Sequence, residues 1–147
     1  MRVRQLIIAG VYSLVLASLS QEASTAEGAQ PVAWEPPSGY ETGGCAQGLG
    51  RRWNPPRDAD WRDERGIAGP LYLVHDGRLT AVQYEISVAD VAAGGNWNGM
   101  SVEYDGRPLA VDHVDIRWIA AHPGFEEPHY GIYLILVSPA EQAAIAC

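Results

Sequence analysis

Apolar and polar residues alternate with a period of two through much of the chain after residue 70, the pattern of strands that bury one face. The run Leu71-Tyr72-Leu73-Val74-His75 predicts a strand, and Asp76-Gly77 behind it is a strong hairpin signal. Residues 79–87 return as a second strand, with Ala81, Gln83 and Glu85 alternating against Val82, Tyr84 and Ile86. Ser87-Val88-Ala89-Asp90 supplies an N-cap and first turn, and the short helix it starts should stop at Gly94-Gly95. Residues 101–104 predict a short strand closed by Asp105-Gly106, with Arg107-Pro108 leading out of it. Residues 109–120 predict a long strand, 122–128 a loop, and 130–137 the most apolar strand. Ser138, Pro139 and Glu141 then provide a cap, a proline at the first helical position and a capping box, so residues 140–146 should be helical.

Strand, strand, helix, strand, strand, strand, helix, joined by short connections, predicts an α+β fold. Its core element would be a curved antiparallel β-sheet, approaching a barrel, with two short helices. In the strand over 109–120, Val114, Ile116 and Trp118 point one way and are expected in the core. His113, Asp115 and Arg117 point the other way. In the last strand Tyr130, Ile132, Leu134 and Leu136 share one face, and His129, Gly131, Tyr133, Ile135 and Val137 the other.

Upstream, the pattern breaks. Residues 27–69 mix prolines (Pro31, Pro36, Pro37, Pro55, Pro56) with glycines (Gly39, Gly43, Gly44, Gly48, Gly50), which predicts an irregular arm. Trp34, Tyr40, Trp53 and Trp61 within it are too many large aromatics for a plain linker, so part of the arm should lie across the domain. Residues 1–26 read as a signal peptide: Arg2 and Arg4 precede an uncharged apolar run over 6–19, and Ser24-Thr25-Ala26 offers a small-residue cut site. A helix over that run would cover only ~21 Å of a ~30 Å hydrocarbon core. The division expected is therefore 1–26 signal, 27–69 arm and 70–147 β-rich domain, in a secreted or periplasmic protein with no stable membrane anchor after cleavage.

Export changes the meaning of charge and cysteine. The chain has 18 acidic and 10 basic residues. Removing Glu22, Arg2 and Arg4 leaves 17 acidic and 8 basic, a net charge of −9. Such a surface lacks the basic footprint for phosphate backbones, so no nucleic-acid partner is expected. The chain's 2 cysteines, Cys45 and Cys147, can pair in an oxidising compartment and would tie the C-terminus to the arm.

Three of the 4 histidines, His113, His122 and His129, fall close together in sequence. If the strands over 109–120 and 130–137 pair across the His122 loop, His113, Asp115 and His129 converge. Imidazoles with a carboxylate suit a divalent transition metal, so His113, Asp115, His122 and His129 are the expected metal ligands. A solvent-facing polar stripe of His113, Asp115 and Arg117 is the plainer alternative. The chain carries no phosphate-cradling glycine loop, no cysteine pair at zinc spacing and no Gly-x-Ser-x-Gly elbow.

Residues 70–145 resemble a small, uncharacterised bacterial family, one member of which is controlled by an extracytoplasmic-stress sigma factor. The resemblance rests on Pro70-Leu71-Tyr72, the Asp76-Gly77 hairpin leading to Gln83-Tyr84-Glu85, Asp112-His113-Val114-Asp115-Ile116 and His122-Pro123-Gly124. It continues through Pro128-His129-Tyr130-Gly131-Ile132-Tyr133 into Val137-Ser138-Pro139-Ala140-Glu141. The family pattern Pro-His-Tyr/Phe-Asp-Ile/Phe-His places an Asp at Gly131 and a second His at Tyr133, so if that pattern binds a metal, this chain has lost two of its candidate ligands. The resemblance implies a fold and a place to look, and no chemical activity. Two functions are expected from these features. The first is an exported, non-catalytic module binding a small molecule, metal or partner through His113, Asp115, His122, His129 and Tyr133, with self-assembly into a homo-oligomer as a further option. The second is a metal-dependent enzyme with Glu85 or Tyr133 moving a proton.

Overall fold

A computed structural model of the chain describes residues 32–56, 62–98, 100, 102–122 and 124–147. The signal peptide expected over 1–26, and residues 27–31 and 57–61 of the arm, lie outside the described residues. The elements are β1 (Glu41–Ala46), β2 (Gly50–Asn54), β3 (Ala68–His75), β4 (Arg78–Ser87), α1 (Val88–Ala92), β5 (Glu103–Tyr104), β6 (Arg107–Pro108), β7 (His113–Ile119), β8 (His129–Ile135) and α2 (Pro139–Ala144). Six strands form one sheet in the order β1-β2-β3-β4-β8-β7, and β5-β6 form a separate ribbon. Every pairing is antiparallel. The expected α+β fold, with an antiparallel sheet and two short helices, is therefore the one adopted. The sheet stays open, with β1 and β7 as its edges.

The turns follow their residues. Asp76 and Gly77 take φ of 49° and 71°, and Asp105 and Gly106 take 52° and 68°, positive at both central positions as a two-residue hairpin of primed type requires. The second of these folds β6 back onto β5, so that Arg107 and Pro108 form a strand rather than a plain exit from the turn. Ser138 and Glu141 form the reciprocal capping box of α2, with Pro139 at its start.

The arm departs from expectation. Two of its segments are strands: β1 and β2 extend the sheet beyond β3, with Arg52 opposite Leu73 and Trp53 opposite Tyr72. β1 is an edge strand with a register shift between Thr42 and Cys45, a position where Gly43 and Gly44 are tolerated. Cys45 in β1 is joined to Cys147 by a disulfide, with Cα atoms 5.6 Å apart.

Both faces of the sheet are apolar. Leu49, Leu73, Ala81, Tyr133, Ile135, Val137 and Ile145 pack on one face, where the segment around α2 covers the sheet. Tyr72, Val74, Leu79 and Val82 lie on the other, covered by Val32, Trp34 and Tyr40 of the arm and Val102, Tyr104 and Leu109 around the ribbon. Trp34 stacks on Tyr104 with ring centroids 5.1 Å apart and meets Tyr72 at 4.7 Å. The aromatic arm thus lies across the domain, as its composition predicts. Tyr72 in this cluster has its pKa pushed up to about 12, chiefly by burial and then by neighbouring tyrosines. β4, in the middle of the sheet, is buried along nearly its whole length.

β7 reverses its expected facing. Val114, Ile116 and Trp118 are exposed, at 49%, 67% and 61%, rather than buried. Register explains this. Val114 lies opposite Leu134, which lies opposite Val82, so the apolar stripe is on the face that the arm and ribbon cover only farther along the sheet. The polar stripe sits on the α2 face and is held there by Gln142, which reaches His113 Nε2 at 3.0 Å and Asp115 Oδ2 at 3.1 Å.

Candidate metal centre

β4 pairs with β8 so that Gln83 faces Tyr133, Glu85 faces Gly131 and Ser87 faces His129. Directly opposed residues share a face in an antiparallel sheet, so Gln83, Glu85 and His129 all point to the α2 side. That face is closed: Gln83, Glu85 and His129 each have 0% exposure. The loop before β8 folds back over them. His122 and Phe125 exchange backbone hydrogen bonds at 3.0 and 2.9 Å, closing a tight turn in which Gly124 takes φ +96° without the Cβ penalty. Phe125 is buried, with its ring centroid 4.1 Å from that of His129, and His122 meets His129 edge-on at 5.0 Å. Arg62 clamps the loop from outside, its guanidinium 4.2 Å over the Phe125 ring and 2.8 Å from Glu127.

Glu85, His122 and His129 each bring a ligand atom to within 4.8 Å of the others. His129 Nε2 is 3.6 Å from Glu85 Oε1. The tautomer of His129 is set by its other nitrogen. Nδ1 lies 2.9 Å from the Glu127 carbonyl oxygen, which can only accept, so Nδ1 carries the hydrogen. The other ring nitrogen, Nε2, then faces the Glu85 carboxyl group. Buried imidazole and carboxyl atoms at this separation, too long for a good hydrogen bond, call for something that compensates both, either a ring proton or a metal ion. Gln83 Nε2 donates to Glu85 Oε1 at 2.7 Å. Glu85 Oε2, His129 Nε2 and Gln83 Oε1 have no hydrogen-bond partner among the described residues.

Those three orphaned atoms are the fit test for a metal. Two donors each ~2.0–2.1 Å from one tetrahedral ion stand about 3.4 Å apart, close to the separation of His129 Nε2 and Glu85 Oε1. A histidine that donates Nδ1–H to a main-chain carbonyl while Nε2 binds is the usual arrangement of metal-ligating imidazoles. Two imidazoles and a carboxylate suit zinc or a neighbouring divalent transition metal.

The structure brings together only part of the expected ligand set. His122 and His129 do come together, but with Glu85. His113 lies opposite Ile135 and Asp115 opposite Tyr133, whereas His129 lies opposite Ile119. Six positions along β8 separate the His113 and His129 levels, about 20 Å at the rise of a strand. His113 is occupied elsewhere, with Nδ1 2.7 Å from Asp112. The Asp112 hydrogen bond raises the His113 pKa above 6.5, with smaller contributions from Gln142 and Asp115. The Arg117 hydrogen bond, and to a lesser degree the one from Gln142, hold Asp115 below its ordinary carboxylate value. Tyr133 packs in the core under the Arg117 guanidinium, 4.9 Å from its ring centroid, and burial raises its pKa. Gly131 stands between Glu85 on β4 and Arg117 on β7, and a Cβ there would come within 2.8 Å of Ile119 Cδ1.

No protein-family profile and no curated protein matches the chain. Among solved structures, the crystal structure of hypothetical protein TTHB210 from Thermus thermophilus is similar, with a TM-score of 0.49 and 22% identity, covering 71% of this chain and 93% of that one.

Proposed function

We propose that this domain is an extracytoplasmic metal-binding module in which Glu85, His122 and His129 hold one divalent transition-metal ion. The observation that carries this reading is the buried Glu85–His129 pair: Oε1 and Nε2 face each other at 3.6 Å, and Glu85 Oε2 and His129 Nε2 have no hydrogen-bond partner among the described residues. Enclosure favours binding over catalysis. Glu85 and His129 are wholly shielded from solvent and His122 is half-buried, which suits holding an ion better than admitting a bulky substrate. Gln83, two residues before Glu85 on the same face, adds an unpartnered carbonyl oxygen to the donor set. The Cys45–Cys147 disulfide supports an oxidising location, in keeping with the signal-like residues 1–26. No helix among the described residues is long and apolar enough to cross a membrane.

The test is metal content of the mature protein, purified without chelator or histidine tag, beside His129→Ala and His113→Ala variants. One ion per chain in the wild type and His113→Ala, absent from His129→Ala, is the expected result. Metal that survives His129→Ala, or that is lost from His113→Ala instead, overturns the site. No ion in any of them, with no melting shift on adding zinc, nickel or copper, ends the metal reading.

A further inference from the structure

The metal centre leaves one conspicuous surface unexplained. β7 is the outermost strand of the six-stranded sheet, and it carries Val114, Ile116 and Trp118, all exposed, in a row. Beside them on the same face lie Leu134, Ile132 and Tyr130 of β8, each only half-buried. An edge strand with a bare apolar row is a template for pairing with another strand.

The sequence of β7 says which strand. It reads His-Val-Asp-Ile-Arg-Trp-Ile, with Ile116 at its midpoint. Two copies related by a two-fold axis perpendicular to the sheet, through the centre of an Ile116–Ile116 pair, set all seven residues opposite partners. Asp115 then faces Arg117 of the second copy, and Arg117 faces its Asp115. Val114 faces Trp118, Trp118 faces Val114, and the two Ile116 side chains meet at the axis. Opposite charges and apolar pairs directly across an antiparallel ladder are each favourable. Sliding by one symmetric step in either direction centres the axis on Asp115 or Arg117, placing two like charges face to face. The charge pattern therefore selects one register and selects a second copy of this chain as the occupant.

We propose that the protein forms a two-fold symmetric dimer by antiparallel pairing of β7 with β7 of a second copy, centred on Ile116, continuing the sheet from six strands to twelve. In that dimer Asp115 and Arg117 of each copy make an alternating set of four charges on one face. Val114, Ile116 and Trp118 of both copies make one apolar cluster on the other. The proposal is independent of the metal centre, which lies on β4, β8 and the loop before β8.

The test uses the mature full chain in analytical ultracentrifugation, with folding checked by circular dichroism. Wild type should sediment at twice the chain mass. Asp115→Arg alone and Arg117→Asp alone should each be monomeric, because each sets like charges opposite one another. Mixing the two variants should restore the dimer, since every 115–117 contact between chains is again opposite in sign. That rescue arises only from contact between chains in this register. Separately, Ile116→Cys should give a covalent dimer on mild oxidation, and Arg107→Cys, on the exposed β6, should not. A monomeric wild type, a dimer untouched by Asp115→Arg, or an Ile116→Cys protein that stays uncrosslinked while dimeric would each overturn the proposal.

Discussion

Glu85 and His129 lie on neighbouring strands of the sheet, Oε1 3.6 Å from Nε2, and neither side chain reaches solvent. Such a pair is a burden to the metal-free fold. The carboxylate receives one hydrogen bond, from Gln83, and its second oxygen receives none among the described residues. Desolvating a carboxylate without full compensation costs several kcal/mol, so this pair gives up stability to keep unpartnered donor atoms inside.

That trade sets the first prediction. Glu85→Gln keeps the shape, removes the buried charge, and should leave the metal-free melting temperature unchanged or higher. Wild type should gain about 2.7 kcal/mol of stability when zinc is present at about a hundred times its dissociation constant, and Glu85→Gln should lose most of that gain. Thermal melts of both proteins with and without zinc measure it. A variant that is less stable without metal, yet keeps the zinc shift, would show that Glu85 is structural and not a ligand.

Gly50 opens β2 with φ +96°, and a Cβ built on it lands on the Val74 carbonyl oxygen. Backbone is in the way, so no rotamer change relieves the contact. Gly50→Ala should destabilise the fold by about 2–3 kcal/mol, combining the left-handed φ with displacement of β2 from β3. Gly77, whose Cβ would meet nothing, is the control for φ alone. Urea denaturation of the two alanine variants compares them, and equal losses would remove the steric part of the account.

Local chemistry was readable in the sequence, and burial was not. Asp76-Gly77 and the Ser138–Glu141 box announce a hairpin and a helix start through contacts within a few residues, and both form. β1 and β2 are hidden because their glycines interrupt the alternation: Gly43 and Gly44 fall at the register shift of the edge strand β1, and Gly50 opens β2 with a positive φ. β7 alternates clearly, but alternation cannot say which face is covered when both faces of the sheet carry apolar clusters. The site illustrates the same limit. Gln83 and Glu85 alternate with Val82 and Tyr84 as in a half-exposed strand. Only the position of β4 between β3 and β8 reveals that these polar groups are sealed inside. His122 and His129 were visible as chemistry, while the carboxylate they meet comes from a strand far away in sequence.

The Cys45–Cys147 bridge spans 102 residues and fastens the segment after α2 to the edge strand β1. Gln47 reinforces the same join, donating to the Ile145 carbonyl at 3.2 Å and accepting from the Cys147 amide at 3.3 Å. By loop-closure entropy the bridge should contribute about 4–5 kcal/mol. A Cys45→Ala/Cys147→Ala variant should show that loss in chemical denaturation, with amide exchange faster around Ile145 than in β4. A loss under about 1 kcal/mol would mean that the unfolded chain is already held compact by other contacts.

His113, Asp112, Asp115 and Gln142 make the stability of the β7 edge depend on pH. The Asp112 hydrogen bond raises the His113 pKa above 6.5, so its contribution is complete below 6.5 and is lost as pH rises through the raised value. The Arg117 hydrogen bond lowers the Asp115 pKa below 3.8, so that contribution is complete above 3.8 and is lost as pH falls through the lowered value. Both are present in full between 3.8 and 6.5. The melting difference between wild type and His113→Ala should therefore be greatest near about pH 5 and shrink on the alkaline side. Asp115→Ala should give a difference that shrinks on the acid side instead. Melts of the three proteins across this range decide it, and a difference independent of pH for His113→Ala would mean that its ring acts through packing on Gln142 rather than through charge.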